Sequence, residues 1–159
     1  MIKKFFAAAL LVTSLVACKS KSAVNFNNKL VLIEKSLLVP LEEGEKSATQ
    51  HFTNGNYDSL SAVGSRLEKI VQLKIDEVEA LKTPDISQAE NFKTSYIKAF
   101  KALKEVFISY KETGAAKSAE DRQKIIDGMQ ALVDEKNDAF KDMQAAQRIF
   151  ASSNGFKVQ

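Results

Sequence analysis

Residues 89–110 read AENFKTSYIKAFKALKEVFISY, and this stretch decides the fold class. Its apolar and aromatic residues recur every three or four positions, so they line one face of a helix. Lysine, glutamate, serine and threonine fill most of the positions between them, as in a surface helix with a buried stripe. The stripe consists of Ala89, Phe92, Tyr96, Phe100, Leu103, Phe107 and Tyr110. The stretch therefore predicts a long amphipathic helix, the third of the chain, whose aromatic face enters a core.

Both ends of this helix carry local signals. Ser87 and Glu90 have the spacing of a capping box, in which each side chain accepts a hydrogen bond from the other residue's backbone N–H. Gly114 is placed to end the helix, because glycine readily adopts the left-handed conformation found after a helix C-terminus. On the other side, Thr83-Pro84 ends the preceding helix, since a residue before proline is pushed out of the α region.

Upstream, the apolar period predicts two helices separated by a turn. The first helix starts near Ala23, and Pro40 predicts a kink or break near Val39, because proline lacks an N–H and clashes with the preceding turn. The sequence Thr53-Asn54-Gly55-Asn56 has the composition of a turn. The second helix starts near Asp58 or Ser59 and runs to about Lys82. Its stripe comprises Leu60, Val63, Leu67, Ile70, Val71, Val78 and Leu81.

Downstream, a fourth helix opens at Ser118, where a capping residue precedes acidic Glu120 and Asp121. It is expected to end before Gly155, and its stripe comprises Ile125, Met129, Leu132, Val133, Phe140, Met143 and Phe150. No stretch alternates with period two for long enough to form a strand. Four amphipathic helices with short connections predict an all-α fold, an up-down-up-down four-helix bundle with the first helix kinked or broken near Pro40.

The N-terminus has a different character from the bundle. A basic start, Lys3 and Lys4, precedes an apolar run that ends in Leu15-Val16-Ala17-Cys18. The run is too short to span a bilayer, which takes roughly 20 apolar residues. These features resemble the signal segment and lipobox of bacterial lipoproteins. The resemblance implies removal of residues 1–17, lipidation of Cys18, a short tether over residues 18–22 and a bundle domain over residues 23–159.

Charge changes when that leader is removed. The leader holds two lysines and no acidic residue, so the 23 basic and 20 acidic side chains of the whole chain become 21 and 20, a net charge of +1. A basic surface that would bind nucleic acid through its phosphates is therefore not expected. The expected partners are the membrane, through lipid on Cys18, and an envelope or extracellular protein.

Residues that carry catalysis or bind cofactors are scarce. His51 is the one histidine and Cys18 the one cysteine, so a Cys-rich metal site is excluded and no cofactor is implied. A haem held by His51 with Met129 or Met143, or another apolar ligand between the helices, remains the alternative function. Both methionines fall on the apolar stripe, which favours a core role. An enzyme is the least favoured of the three classes.

One short motif points to a modification. Asp58-Ser59-Leu60 resembles the Asp-Ser/Thr-apolar acceptor motif for O-glycosylation of secreted proteins in one large group of Gram-negative bacteria. Ser59 would be the glycosylated residue. The competing interpretation is that Asp58 or Ser59 simply caps the second helix.

The expected topology also predicts where a partner binds. Lipid on Cys18 would hold the start of the first helix at the membrane, so the first and third inter-helix turns would point away from it. Binding residues are disproportionately found on loops held by a rigid scaffold. The candidate contact residues at this distal end are His51, Phe52, Asn54, Asn56, Tyr57 and Lys117. The resulting hypothesis is a non-enzymatic interaction or structural module of the bacterial envelope, anchored by lipid in the outer membrane.

Overall fold

The computed structural model describes residues 21–156, which form four α-helices and no β-strand. These are α1 (Lys21–Thr53), α2 (Tyr57–Ala80), α3 (Ala89–Ala115) and α4 (Ala119–Ser153). They form the up-down-up-down bundle that the sequence predicts, with α3 packed between α2 and α4, and α1 against α2. The predicted signal peptide, Cys18 and residues 157–159 lie outside the described residues.

An aromatic cluster fills the core at the end where α1 begins and α4 ends. The rings of Phe92 and Phe150 stack with centroids 4.9 Å apart, and Phe26 meets both of them edge-on. Tyr96 and Phe156 extend the cluster by further edge contacts. The predicted stripe of α3 is buried from Ala89 to Phe107, and Tyr110 is partly buried against the core. Removal of these rings from water contributes to the stability of the bundle.

Glycines set the close approach of α2 to α3. A Cβ on Gly64 would overlap the backbone of Lys111, and one on Gly114 would overlap backbone atoms of Tyr57 and Ser61. Gly114 therefore does not stop α3 as predicted. It lies inside the last turn and is buried against α2, while the C-cap is Ala116 in an extended conformation.

α1 is one continuous helix through Pro40. The sequence predicted a kink or a break near Val39, and a break does not occur. Proline leaves the carbonyl of Ser36 without its usual helical donor, but the rest of the α1 ladder continues on both sides. The helix also begins at Lys21, so it takes up two residues of the segment predicted as tether.

The helix starts differ from the sequence prediction in two places. Gln88, with a left-handed φ of 63°, precedes α3 and makes no side-chain cap, so the predicted capping box at Ser87 is wrong. A tertiary contact accounts for this, because the Ser87 carbonyl oxygen accepts a 2.9 Å hydrogen bond from Asn154 Nδ2 at the end of α4. Asn56 caps α2, two residues before Asp58, which is the earlier of the two predicted caps.

The fourth helix starts and ends as predicted. Ser118 is its N-cap and accepts from the backbone N–H of Asp121 at 3.0 Å, and the chain turns at Gly155 with a φ of 72°. Its first half, however, packs loosely. The predicted core positions Ile125, Met129, Leu132 and Val133 are only partly buried. No Cα atoms of α1 and α4 lie within 8 Å of each other, so the seam between these two helices is the wide side of the bundle.

Candidate functional site

The predicted partner contacts lie together at the distal end but differ in exposure. Asn54, Asn56 and Lys117 are exposed. His51, Phe52 and Tyr57 are partly buried, and the last two pack against the core. The turn between α1 and α2 and the turn between α3 and α4 therefore offer a mainly polar surface, with the two aromatic rings closing the end of the bundle beneath it.

Arg122 joins these two turns. Its guanidinium lies over the Tyr57 ring, 3.6 Å from the centroid, and donates to the carbonyl oxygens of Thr113 at 3.2 Å and Ala116 at 2.9 Å. Cation–π contact and charge-assisted hydrogen bonds thus hold the ends of three helices together. Tyr57 is consequently occupied within the chain. Arg122 was not predicted from the sequence, because Tyr57 lies 65 residues before it and only the fold brings the two together.

The possible glycosylation residue lies on a helix. Ser59 occupies the first turn of α2 and is partly buried, whereas Asp58 is exposed. The backbone N–H of Ser59 donates to Asn56 Oδ1 at 3.4 Å, so the capping function belongs to Asn56 and not to Asp58 or Ser59. The capping explanation for the motif is therefore wrong, and glycosylation of Ser59 stays a prediction.

Polar side chains of α1 form hydrogen bonds to α4 and to α3 at the wide side of the bundle. The buried Gln147 Nε2 donates to Asn27 Oδ1 at 3.1 Å, and the Tyr96 hydroxyl donates to Glu34 Oε2 at 2.9 Å. Asn27 and Glu34 are seven residues apart, so they share one face of α1. No side-chain nitrogen or oxygen buried within residues 21–156 lacks a hydrogen-bond partner. Satisfied groups of this kind fix the register of packed helices.

A second polar group lies further along the same seam. Lys136 is only 7% exposed, and burial lowers its pKa while the Glu45 carboxylate opposes that shift. Burial raises the pKa of Glu45, and burial together with the charge of Glu45 raises the pKa of Tyr110 to about 12. Lys136 is therefore a charged residue that does not lie on a solvated face. The sequence did contain a signal, because Lys136 is spaced seven residues from both Met129 and Met143 on the apolar stripe.

A surface groove of about 740 Å³ runs between α3 and α4. Small and apolar side chains, Ile97, Ala102 and Ala139, line its floor. Lys98 on the α3 wall bridges to Asp142 on the α4 wall at 3.3 Å. The remaining charged residues of the groove are Lys101, Glu105, Glu135 and Asp138. The groove therefore combines an apolar floor with charged walls.

The residues of the haem alternative are not brought to one point by the helix geometry. Met143 is buried, and Met129, fourteen residues away on α4, lies about 21 Å from it along the helix axis. His51 lies in the last turn of α1 at the distal end. Within residues 21–156, no group of three or more histidine, cysteine or carboxylate side chains is arranged to hold a metal ion.

Among residues 21–156, none of the helices has both the length and the hydropathy needed to cross a membrane. Comparison with protein-family models, curated proteins and solved structures finds no significant match to this chain.

Proposed function

We propose that this protein is a lipid-anchored, non-enzymatic interaction or structural module of the bacterial envelope. The observation that carries the proposal is the position of the lipobox-like stretch. Cys18 stands three residues before α1, which begins at Lys21. Three residues of extended chain span about 11 Å at most. Lipid on Cys18 would therefore hold one end of the bundle against the membrane surface.

The anchor would give the bundle a direction. The start of α1 lies at the same end as the α2–α3 connection and the end of α4, which the Asn154–Ser87 hydrogen bond joins. The opposite end, with exposed Asn54, Asn56 and Lys117, would face an envelope or extracellular protein. Arg122 supports this role, because it makes the two distal turns one rigid surface. Position 19 is lysine and not the aspartate that often retains lipoproteins in the inner membrane, so we propose the outer membrane.

Metabolic labelling tests the anchor. The full chain is expressed in a Gram-negative host with radioactive palmitate, beside the Cys18→Ser variant. Several acyl chains bind a membrane nearly irreversibly, at about 0.8 kcal/mol for each buried CH₂. The parent chain is expected to carry label and to fractionate with the outer membrane. Label on the Cys18→Ser variant would contradict lipidation at this residue, and recovery of the parent with the inner membrane would contradict the sorting.

A pull-down from native envelopes tests the distal surface. The variant combines Asn54→Ala, Asn56→Ser and Lys117→Ala, because serine at position 56 keeps the cap of α2. Tyr57 is left unchanged, since Arg122 holds it. A matched control carries Asp85→Ala at the opposite end, where Asp85 is also exposed. We expect only the distal variant to lose partners at unchanged helicity, and retention of the full set would exclude this end as the site.

A further inference from the structure

Three large apolar side chains are strongly exposed on the outer side of α1 and α2. Leu32 is 65% exposed, Val39 64% and Leu73 61%. Leu32 and Val39 are seven residues apart, so they lie on one face of α1. That face is turned away from the buried stripe of α1, which includes Leu30, Leu37 and Leu41.

Leu73 lies at the height of this pair along the bundle axis. A Cβ on Gly44 of α1 would overlap the Leu67 side chain of α2, so these two residues are level with each other in the antiparallel helices. Leu73, six residues beyond Leu67, is therefore level with Leu38, next to Val39. We name the surface formed by Leu32, Val39 and Leu73 the α1–α2 face. Isolated exposed apolar residues are ordinary, but two neighbouring helices that expose them at the same height offer a contact surface.

Charged residues surround the α1–α2 face in an alternating pattern. On α1, basic Lys29 precedes Leu32 and acidic Glu43 follows Val39. On α2, basic Arg66 and Lys69 precede Leu73 and acidic Glu77 follows it. Because the two helices are antiparallel, Glu43 is level with the basic residues of α2. Within residues 21–156, the ion pairs of the structure do not involve Lys29, Glu43, Arg66 or Lys69.

At the level of Glu43, this pattern makes the α1–α2 face complementary to itself. A two-fold axis that lies between two copies and runs parallel to the helices places α1 of one copy opposite α2 of the other. Glu43 then meets Lys69 of the second copy, and Val39 meets Leu73 of the second copy at the same level. A two-fold axis perpendicular to the helices is also complementary, because it places Glu43 near Lys29 of the second copy.

We propose that the α1–α2 face binds a second copy of this chain, with the two-fold axis parallel to the helices. The direction of the axis rests on the proposed function, since two copies anchored through Cys18 in one membrane must start α1 on the same side. The two Val39–Leu73 pairs across this axis form a small apolar contact. Confinement to a membrane raises the effective concentration of the second copy, so a small contact suffices there.

Disulfide cross-linking in membranes tests the arrangement, because Cys18 is the only cysteine of the chain and is acylated under the proposed function. The full chains Val39→Cys and Leu73→Cys are expressed together, and Ser36→Cys is expressed alone. The parallel axis predicts a disulfide between positions 39 and 73 of two copies and none between two copies of Ser36→Cys. A disulfide between two Ser36→Cys copies, or no disulfide in either sample, would overturn the proposal.

Charge exchange provides a second test on the cross-linked pair. Lys69→Glu should lower the fraction joined between positions 39 and 73 at least threefold, and Glu43→Lys added to both chains should restore it. The perpendicular axis predicts a further loss in the double variant, because Glu43→Lys would then face Lys29. Lys117→Glu is the control, since Lys117 lies in a distal turn and should change nothing. An unchanged fraction in Lys69→Glu would overturn the interface. Maleimide labelling of the parent tests the lipid anchor separately. A free Cys18 thiol reacts with maleimide, whereas a lipidated Cys18 does not.

Discussion

The Tyr96 hydroxyl of α3 donates a 2.9 Å hydrogen bond to Glu34 Oε2 of α1 and so connects two helices that otherwise approach each other little. Tyr96 is 1% exposed, and burial together with the neighbouring Glu34 carboxylate raises its pKa well above the ordinary value. Burial also raises the pKa of Glu34, although the hydrogen bond from Tyr96 and the charge of Lys35 lower it. The carboxyl group of Glu34 is therefore harder to ionise in the folded protein than in the unfolded chain.

This relationship predicts a pH dependence of stability. A carboxyl group whose pKa is raised on folding binds its proton more tightly in the folded state, so its contribution is fully present below about pH 4.5 and is lost as the pH rises through the folded pKa. Glu34→Gln removes that titration while keeping an oxygen that accepts from Tyr96. We expect the unfolding free energy of the variant minus that of the parent to increase as the pH rises from about 4 to about 7. Urea titrations across this range measure the difference. A constant difference across that range would contradict the raised pKa.

The contact of Gly64 with α3 predicts a strong effect of one added methyl group. In Gly64→Ala the Cβ would overlap backbone atoms of Lys111 and Phe107, and backbone cannot rotate away as a side chain can. We expect a loss of roughly 1–3 kcal/mol in the unfolding free energy, as for other overpacked cores. Thermal and urea unfolding of the purified variant would measure it.

Gly128 provides the matched control for Gly64. It lies inside α4, and nothing stands within 4 Å of a Cβ built there. Gly128→Ala should therefore stabilise the protein by roughly 0.5–1 kcal/mol, because alanine loses less backbone entropy in a helix. Opposite signs for the two variants support the close approach of α2 to α3. A stabilising effect of Gly64→Ala would show that this approach is wider than in the structure.

The sequence predicted the architecture because helix period and apolar stripes are local properties. Ala89 to Phe107 and Ser118 could be placed from neighbouring residues alone. The failures have tertiary causes. The structure replaces the capping box at Ser87 by a left-handed Gln88 and a hydrogen bond from Asn154, and no property of the local sequence reveals that contact.

The polar contacts were harder to predict than the apolar ones. Arg122 and Tyr57 are far apart along the chain, and only the meeting of the two distal turns brings them together. Lys136 was hard to predict for a different reason. Its spacing from Met143 places it on the stripe of α4, but a lysine at such a position is usually solvated. The Glu45 charge that opposes the burial shift of its pKa comes from another helix.

Phe100 tests the face assignment of α3 directly. Its ring is fully buried and makes an edge contact with Tyr96, with centroids 5.8 Å apart. Phe100→Ala should cost about 3–5 kcal/mol of unfolding free energy, because it removes a buried ring and leaves a cavity. The side chain of the neighbouring Lys101 is 57% exposed, and its Nζ lies 3.6 Å from Glu79 Oε1. Lys101→Ala should change stability by no more than about 1 kcal/mol, as for other surface ion pairs. Equal melting shifts for the two variants would contradict the burial of this face.

Two serines, Ser87 before α3 and Ser118 before α4, were predicted from the sequence to cap these helices. The Ser118 hydroxyl accepts from the Asp121 N–H at 3.0 Å and donates to Asp121 Oδ2 at 2.6 Å. Ser118→Ala removes both bonds and should cost about 1 kcal/mol of unfolding free energy, whereas Ser118→Asp keeps an acceptor and should recover most of it. Ser87 contributes its carbonyl oxygen to Asn154, and alanine retains that oxygen. Ser87→Ala should therefore leave the urea midpoint unchanged. If Ser87→Ala lowered the unfolding free energy as much as Ser118→Ala, the result would indicate that Ser87 caps α3 and would contradict the structure.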